Sequence, residues 1–267
     1  MRKIGKPIVY TLTLITNLIF LGIIVYILIM GIPNLSPKLF ERTYSTENQS
    51  LVSSVITTLF TIVLSFILTL PVGIFTAIYV AQYAKSKRFV TIIRFATETL
   101  AAIPSIVYGL FGMLLFVSSL KMGYSLLSGV FTISIMILPT IIRTSENAIN
   151  SVNTLQRDAS LALGATKSST IFKVILPEAL PGILSGVFLS TGRIIGESAA
   201  LIYTMGTVAQ IPKNLLSSSR TLAVHMYQLS TEGLYVKESY ATAVVLLVFV
   251  ILVNLISEKL GNMLVEK

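Results

Sequence analysis

Residues 157–177 read RDASLALGATKSSTIFKVILP, a polar interruption between long apolar runs. It is the longest polar connection in the chain that also carries a pattern fit to fold. Thr154 to Ala165 has helical composition, and Leu155, Leu161, Ala162 and Ala165 are spaced to share one face. Thr154 is the expected cap, with Arg157 and Asp158 in the first turn. Gly164 is expected to end this helix or to permit close backbone approach. Ser168–Leu176 suits a second short helix, stopped at Pro177 because the residue before a proline is biased away from α geometry. Ala159, Ser160, Ala162, Gly164 and Ala165 are all small, so two helices meeting here form a knob able to enter a groove closely. The competing reading is an amphipathic connector lying on a lipid surface.

The runs on either side set the class of the molecule. The 267 residues are 54% hydrophobic and 12% charged, with a mean hydropathy of +0.85. Soluble domains carry about 25% charged residues, so this chain lacks the polar surface that water requires. Lipid is the alternative solvent, and an all-helical integral membrane protein follows. A formal charge of +9 on so apolar a chain fits basic cytoplasmic loops rather than nucleic-acid binding. The absence of cysteine excludes disulfides, thiolate metal sites and cysteine nucleophiles. With a single histidine, His225, a histidine-based metal centre or relay is not expected, and His225 reads as an exposed or packed residue rather than a ligand.

A basic start, MRKIGK, precedes an apolar run from Ile8 to Met30. That run is too long for a signal-peptide core and lacks a small-x-small cleavage site, so a retained first span is expected. Further spans are expected at 51–81, 99–120, 125–142, 178–205 and 240–256. Pro104 falls inside the third, where it would kink the helix, and Arg94 and Glu98 read as an i,i+4 pair at its polar entrance. With the N-terminus inside and six alternating spans, Arg2, Lys3, Lys6, Lys85, Lys87, Arg88, Arg94, Arg143, Arg157, Lys167, Lys173, Lys259 and Lys267 face the cytoplasm. Lys38, Arg42, Lys121, Lys213, Arg220 and Lys237 are left outside, thinly spread. Both termini and the 157–177 loop are then cytoplasmic.

Two charges lie inside the expected fifth span. Arg193 is about 18–22 Å from its cytoplasmic end at 1.5 Å per residue, near or past the middle of a hydrocarbon layer about 30 Å thick. An arginine there costs about 2.5–3.5 kcal/mol on insertion scales and faces a cavity or the bundle interior. Glu197, four residues on, would share its face and pair with it. Either the two brace one helix, or Arg193 lines an anion path with Glu197 holding it or gating. Gly182, Gly186, Gly192 and Gly196 make two small-xxx-small pairs, read as packing positions.

The order Asp158-Ala159-Ser160, three residues, Gly164, nine residues, Val174-x-Leu176-Pro177 resembles the EAA loop of ABC importer permeases. That pattern is E-A-A-x3-G-x9-I-x-L-P, and here Asp158, Ser160 and Val174 depart from it. Arg193-Ile-Ile-Gly196-Glu197-Ser-Ala-Ala resembles the R-x-x-G-E-[TS]-A signature of phosphate-specific permeases. Ala102-Ile-Pro104-Ser-Ile-Val-Tyr108-Gly109-Leu110 and Leu138-Pro139-x3-Arg143-Thr144-x-Glu146 are similar to two further segments of that family, in the right order. Glu197–Ala200 and Thr221–Tyr227 look more like the PstA-type subunit than PstC, although Ala200 stands where a proline is usual. The similarity covers about residues 50–260.

The resemblance implies a type I ABC importer permease with six transmembrane helices, which moves phosphate and carries out no covalent chemistry. It implies a single permease domain, 1–267: an N-terminal span and first external loop over 1–45, a transport core over 46–260, and a coupling loop over 143–177. It also implies a prokaryotic cell membrane, a second, PstC-like permease, two ATPase copies and an extracytoplasmic phosphate-binding protein. Arg157, Asp158, Ala159, Gly164, Leu176 and Pro177 would form the ATPase coupling loop, and Arg193 and Glu197 the substrate pathway. No G-x-x-x-x-G-K-[ST] loop occurs, so this chain is expected to bind no cofactor, with ATP on the partner. Rival readings are a permease for molybdate or sulfate, a channel, a secondary carrier, for which no inverted repeat is visible, and an intramembrane enzyme, for which no catalytic constellation is visible.

Overall fold

The structure, a computed structural model, describes residues 2–265, which are helical and connected by turns, with no strand among them. Lys267, used in the charge count, lies outside the described residues. Five helices are long and apolar enough to cross a membrane: Val9–Asn34, Val52–Tyr83, Leu126–Ser151, Lys167–Ile195 and Val236–Lys259. A sixth crossing exists only as a bent pair, Lys87–Ala101 and Ser105–Ser119, set at 98° to each other.

Helix α1 (Arg2–Gly31) is peripheral and packs on the last helix of the chain, which spans Val236–Val265. The Tyr26 and Tyr240 hydroxyls meet at 3.1 Å, and Gly31 sits against the Tyr240 carbonyl and the Val244 side chain, where a Cβ has no room. Helix α2 (Val52–Ile78) continues through a π-helical turn to Tyr83. Its buried face is Ser53, Ser54, Thr57, Thr58, Thr61, Ser65, Thr69 and Gly73, while Phe60, Val63, Ile67, Val72 and Phe75 point outward. Water would invert that arrangement. In lipid no hydrophobic force separates the faces, so small and hydroxylic residues go inward, where they let backbones approach closely.

The third span differs from the expectation of one kinked helix over 99–120. Helix α3 (Lys87–Ala101) ends before Pro104, and α4 (Ser105–Gly112), extended by a π-helical turn to Ser119, starts afresh. The cause is local. Pro104 has no N–H for the Leu100 carbonyl, and that carbonyl instead accepts from Ile103 N–H at 3.2 Å and from the Tyr108 hydroxyl at 2.7 Å. Both bonds tighten the turn into a corner. Helix α3 buries no residue; Ile92 and Phe95 are exposed on one face, while Lys87, Arg94 and Glu98 lie on another, so it is amphipathic.

Helix α5 (Leu126–Ser151) is the central post, packed against α2 and against α8 (Leu176–Ile195). Between α5 and α8 come the loop helices α6 (Thr154–Ala162) and α7 (Lys167–Thr170). Here too the structure corrects the expectation, because Pro177 does not stop a short helix. A π-helical turn at Ile171–Ile175 joins α7 to α8, and Pro177 directly follows that turn inside one continuous helix rather than ending it. The fifth span therefore starts at Lys167 and ends at Ile195, not Met205. Beyond it lie the short α9 (Ala199–Thr204), α10 (Leu222–Thr231) and α11 (Val236–Val265). The intervening residues fold back on α5: Leu126 and Leu127 N–H donate to the Ser217 and Leu215 carbonyls at 3.0 and 2.9 Å.

Candidate translocation site and coupling loop

The loop helix α6 is capped by Asn153, not by Thr154: the Asn153 side-chain oxygen accepts from Leu155 N–H at 3.0 Å. At its other end Gly164 adopts φ +84°. Gly164 N–H donates to the Leu161 carbonyl at 3.0 Å and Ala165 N–H to the Ser160 carbonyl at 3.2 Å, the paired bonds of a Schellman ending. No atom of a neighbouring residue stands where a Gly164 Cβ would go. Helix α6 buries no residue, and Leu155 and Leu163 are 73% and 89% exposed. Apolar side chains this bare, beside the exposed Asp158 and Ala159, form a surface that no other described residue covers.

The same loop is firmly attached behind. The Ser160 and Thr170 hydroxyls meet at 2.9 Å, and Lys167 Nζ donates to the Gln82 carbonyl while lying 4.7 Å from the Tyr83 ring centre. Ile171 and Ile175 of the π-helical turn are buried with Ala77, Ile78, Ala148, Ile149 and Ala179. A force on α6 therefore reaches the ends of α2, α5 and α8 through packed side chains.

Arg193 is in the last turn of α8, half-buried, and Glu197 is 8% exposed. They do not pair. An i,i+4 relation holds only in a continuous helix, and α8 stops at Ile195; the Glu197 carboxylate turns to accept from Ala200 N–H at 2.9 Å, holding the first turn of α9. Arg193 makes no hydrogen bond or ion pair with the described residues. Its charge acts on the Tyr108 hydroxyl of α4. The expected glycine pairs divide: Gly182 faces Ala148 at 2.6 Å from a built Cβ and Gly186 faces Thr144, whereas the space beside Gly192 is open.

Two of the segments singled out in the sequence thus converge. Gly109 lies against the Ala199–Ala200 backbone, 2.8 Å from Ala200 Cα to a built Cβ, and Tyr108 shares a buried cluster with Ile194, Ile195 and Leu201. The Pro104 corner, Arg193 and the Glu197-capped turn form one region. Arg193 presents its charge there without a hydrogen-bond or ion-pair partner among the described residues.

The profile of the family described as binding-protein-dependent transport system inner membrane component matches residues 69–267. The chain belongs to that family. Among relatives of this permease, one named a probable ABC transporter permease, YqgI of Bacillus subtilis, is 31% identical over 268 residues, covering 93% of this chain and 91% of the relative. A phosphate transport system permease protein PstA from Pasteurella multocida is 31% identical over 262 residues, covering 95% and 93%. The methionine ABC transporter MetNI, in inward-facing conformations, superposes with a TM-score of 0.63 at 22% identity over 80% of this chain and 94% of the other. A bacterial transporter involved in importing alginate gives 0.62 at 14% identity, over 93% and 95%. The fold is that of a type I ABC importer permease, and the chain is a PstA-type ABC permease with a multi-pass membrane architecture.

The third singled-out segment does a different job in the permease. Arg94 of α3 donates through Nε to Glu146 of α5 at 2.8 Å, and Arg143 Nη1 lies 3.0 Å from Glu98. The expected Arg94–Glu98 pair within α3 is replaced by two crossed pairs that tie α3 to α5. The signal was present as charge spacing, Arg-x3-Glu on one segment and Arg-x2-Glu on the other, but helix spacing alone favours the local pair. Glu146 is nearly buried and Arg94 half-exposed, so Glu146→Gln is expected to weaken α3 docking by about 1–2 kcal/mol, between an exposed and a buried pair. Hydrogen exchange across Lys87–Ala101 in nanodiscs should rise accordingly. Unchanged exchange would mean that apolar and lipid contacts alone hold α3.

Proposed function

We propose that the permease carries inorganic phosphate in an ATP-driven importer, paired with a second, PstC-like permease. Two ATPase copies supply the hydrolysis, one of them gripping the Arg157–Pro177 loop of this chain, and an extracytoplasmic phosphate-binding protein delivers the anion. The loop faces the cytoplasm together with both termini. ATP binds to the partner, and this chain contributes movement and a path. The observation that carries the reading is Arg193, a half-buried cation without a carboxylate among the described residues, beside the Pro104 corner in a chain that a PstA-named relative matches over 95% of its length. An anion passing Arg193 supplies the counter-charge that the protein withholds. Glu197 acts as a positioning residue, since it holds the turn that follows Arg193.

The test is uptake into proteoliposomes containing the full assembly, with ATP on the ATPase side. ATP-dependent accumulation of labelled phosphate, undiminished by excess molybdate or sulfate, is expected. Competition by either anion would reassign the substrate within the oxyanion class. Accumulation without ATP would make the chain a secondary carrier.

A further inference from the structure

At the end of α2 away from the coupling loop lies a second arginine that no part of the transport reading uses. The Leu222 N–H of α10 donates to Thr58 Oγ1 of α2 at 2.9 Å, while Gln82, which meets Lys167 of the coupling loop, is 24 residues further along the same helix. At 1.5 Å per residue the two places are about 36 Å apart. Arg220, immediately before the Thr221 cap of α10, is 6% exposed.

Its guanidinium is only partly served. Nη1 reaches the Thr207 carbonyl at 3.4 Å, and the cation lies 4.9 Å from the centre of the Tyr44 ring. Among the described residues Nε and Nη2 have no partner, and no carboxylate lies within ion-pair distance of Arg220. Those two nitrogens form one edge of the guanidinium, whose parallel N–H groups bind two oxygens of a single anion. An aromatic face offsets part of the cost of burying the cation, but not the whole of it without an anion.

The surroundings are polar and donor-rich. The Ser219 and Thr221 hydroxyls are buried without a partner among the described residues, and His225, 0% exposed, is set edge-on to Tyr44 at 6.2 Å between ring centres and lies against the Gln49 backbone. Burial first, then the Arg220 charge, push the His225 pKa down to about 3, with the Gln49 backbone pulling the other way. The ring is therefore neutral at ordinary pH and offers one N–H and one acceptor. Gln49 is held at φ +45°, a conformation that costs a non-glycine residue energy, while Tyr44 Oη donates to its side-chain oxygen at 2.8 Å. Buried polar groups left unpaired are rare in folded proteins, and strain, a catalytic role, a water or an ion accounts for them.

We propose that Arg220, with Ser219, Thr221 and His225, binds a small inorganic oxyanion of the phosphate or sulfate type at this end of the bundle. The Nε–Nη2 edge takes two of its oxygens, and the hydroxyls and the imidazole N–H are donors for the others. Burial of Arg220 favours a free ion over a lipid headgroup or the side chain of another protein. The site does not depend on the role of Arg193, so either assignment can fail alone.

The experiment uses the full chain in maltoside micelles, free of phospholipid, with Arg193→Gln as the background so that Arg193 contributes nothing. Sodium phosphate or sodium selenate, against sodium chloride at equal ionic strength, is expected to raise the thermal midpoint by several degrees. Adding Arg220→Gln should abolish the rise, and adding phospholipid to the chloride sample should not reproduce it. No rise in the Arg193→Gln protein, or an equal rise after Arg220→Gln, overturns the site. A rise produced by phospholipid alone overturns the free-ion assignment. Should the double variant fail to fold, crystals of the unaltered chain grown with selenate decide. An anomalous selenium peak placed so that the selenate oxygens lie within hydrogen-bond distance of the Arg220 guanidinium supports the proposal, and a site without one rejects it.

Discussion

Arg193→Gln is expected to lower ATP-driven phosphate uptake by more than tenfold while the permease still assembles with its partners. The side chain remains long and polar, so packing in the last turn of α8 is little disturbed. What is lost is the full positive charge and its donors. Among the described residues Arg193 has no carboxylate partner to strand, so the substitution uncovers no buried counter-charge there, and the fold is not the first thing to fail. Hydrogen bonds to charged groups contribute about 1.5–3 kcal/mol, which corresponds to roughly 10–150-fold at 1.4 kcal/mol per factor of ten. Arg193→Lys keeps a point charge but not the planar fork, and an intermediate rate is expected. Uptake and co-purification of the ATPase are measured on the same preparations. Normal uptake in Arg193→Gln would confine this arginine to packing beside Tyr108.

How much of this was readable in advance depends on whether a feature is local or tertiary. The apolar runs announced the spans, because lipid burial needs about twenty consecutive apolar residues whatever their neighbours. Gly164 announced a helix ending, which its φ of +84° requires. Pairings were less visible. Arg94 had Glu98 at helical spacing, yet α3 lies beside α5 and Glu146 is the better-buried partner. Arg193 had Glu197 at the same spacing, yet the helix ends between them and the carboxylate caps α9. Pro104 suggested a kink, but the 98° corner depends on Tyr108 reaching back to the Leu100 carbonyl. Pro177 suggested a stop, and the π-helical turn before it removed the need for one. Arg220 looked like one of several scattered external charges, and nothing in its immediate sequence signalled burial.

Gly164→Asp is expected to uncouple the machine: ATPase activity in the assembled transporter continues or falls modestly, while phosphate uptake drops to near background. Two effects add at this residue. A side chain at φ +84° strains the Schellman ending by about 1–2 kcal/mol, although aspartate tolerates that region better than most residues. The larger effect lies outside the chain. Apart from Leu163 and Ala165 on either side, no atom of the described residues lies within 4 Å of the added Cβ, so the carboxylate projects from the knob into whatever surface grips it. A groove shaped for a glycine and bare leucines loses both its close approach and its dry contact. The attachment behind the knob is unaffected, because Ser160–Thr170 and the Ile171–Ile175 cluster do not involve Gly164. Gly164→Ala separates the terms, since it brings the strain without the charge or the reach, and it should retain most of the uptake. If Gly164→Asp imports phosphate normally, the ATPase does not grip the permease at α6. If Gly164→Ala fails as completely as Gly164→Asp, the left-handed ending itself, rather than the surface it presents, is what the partner requires.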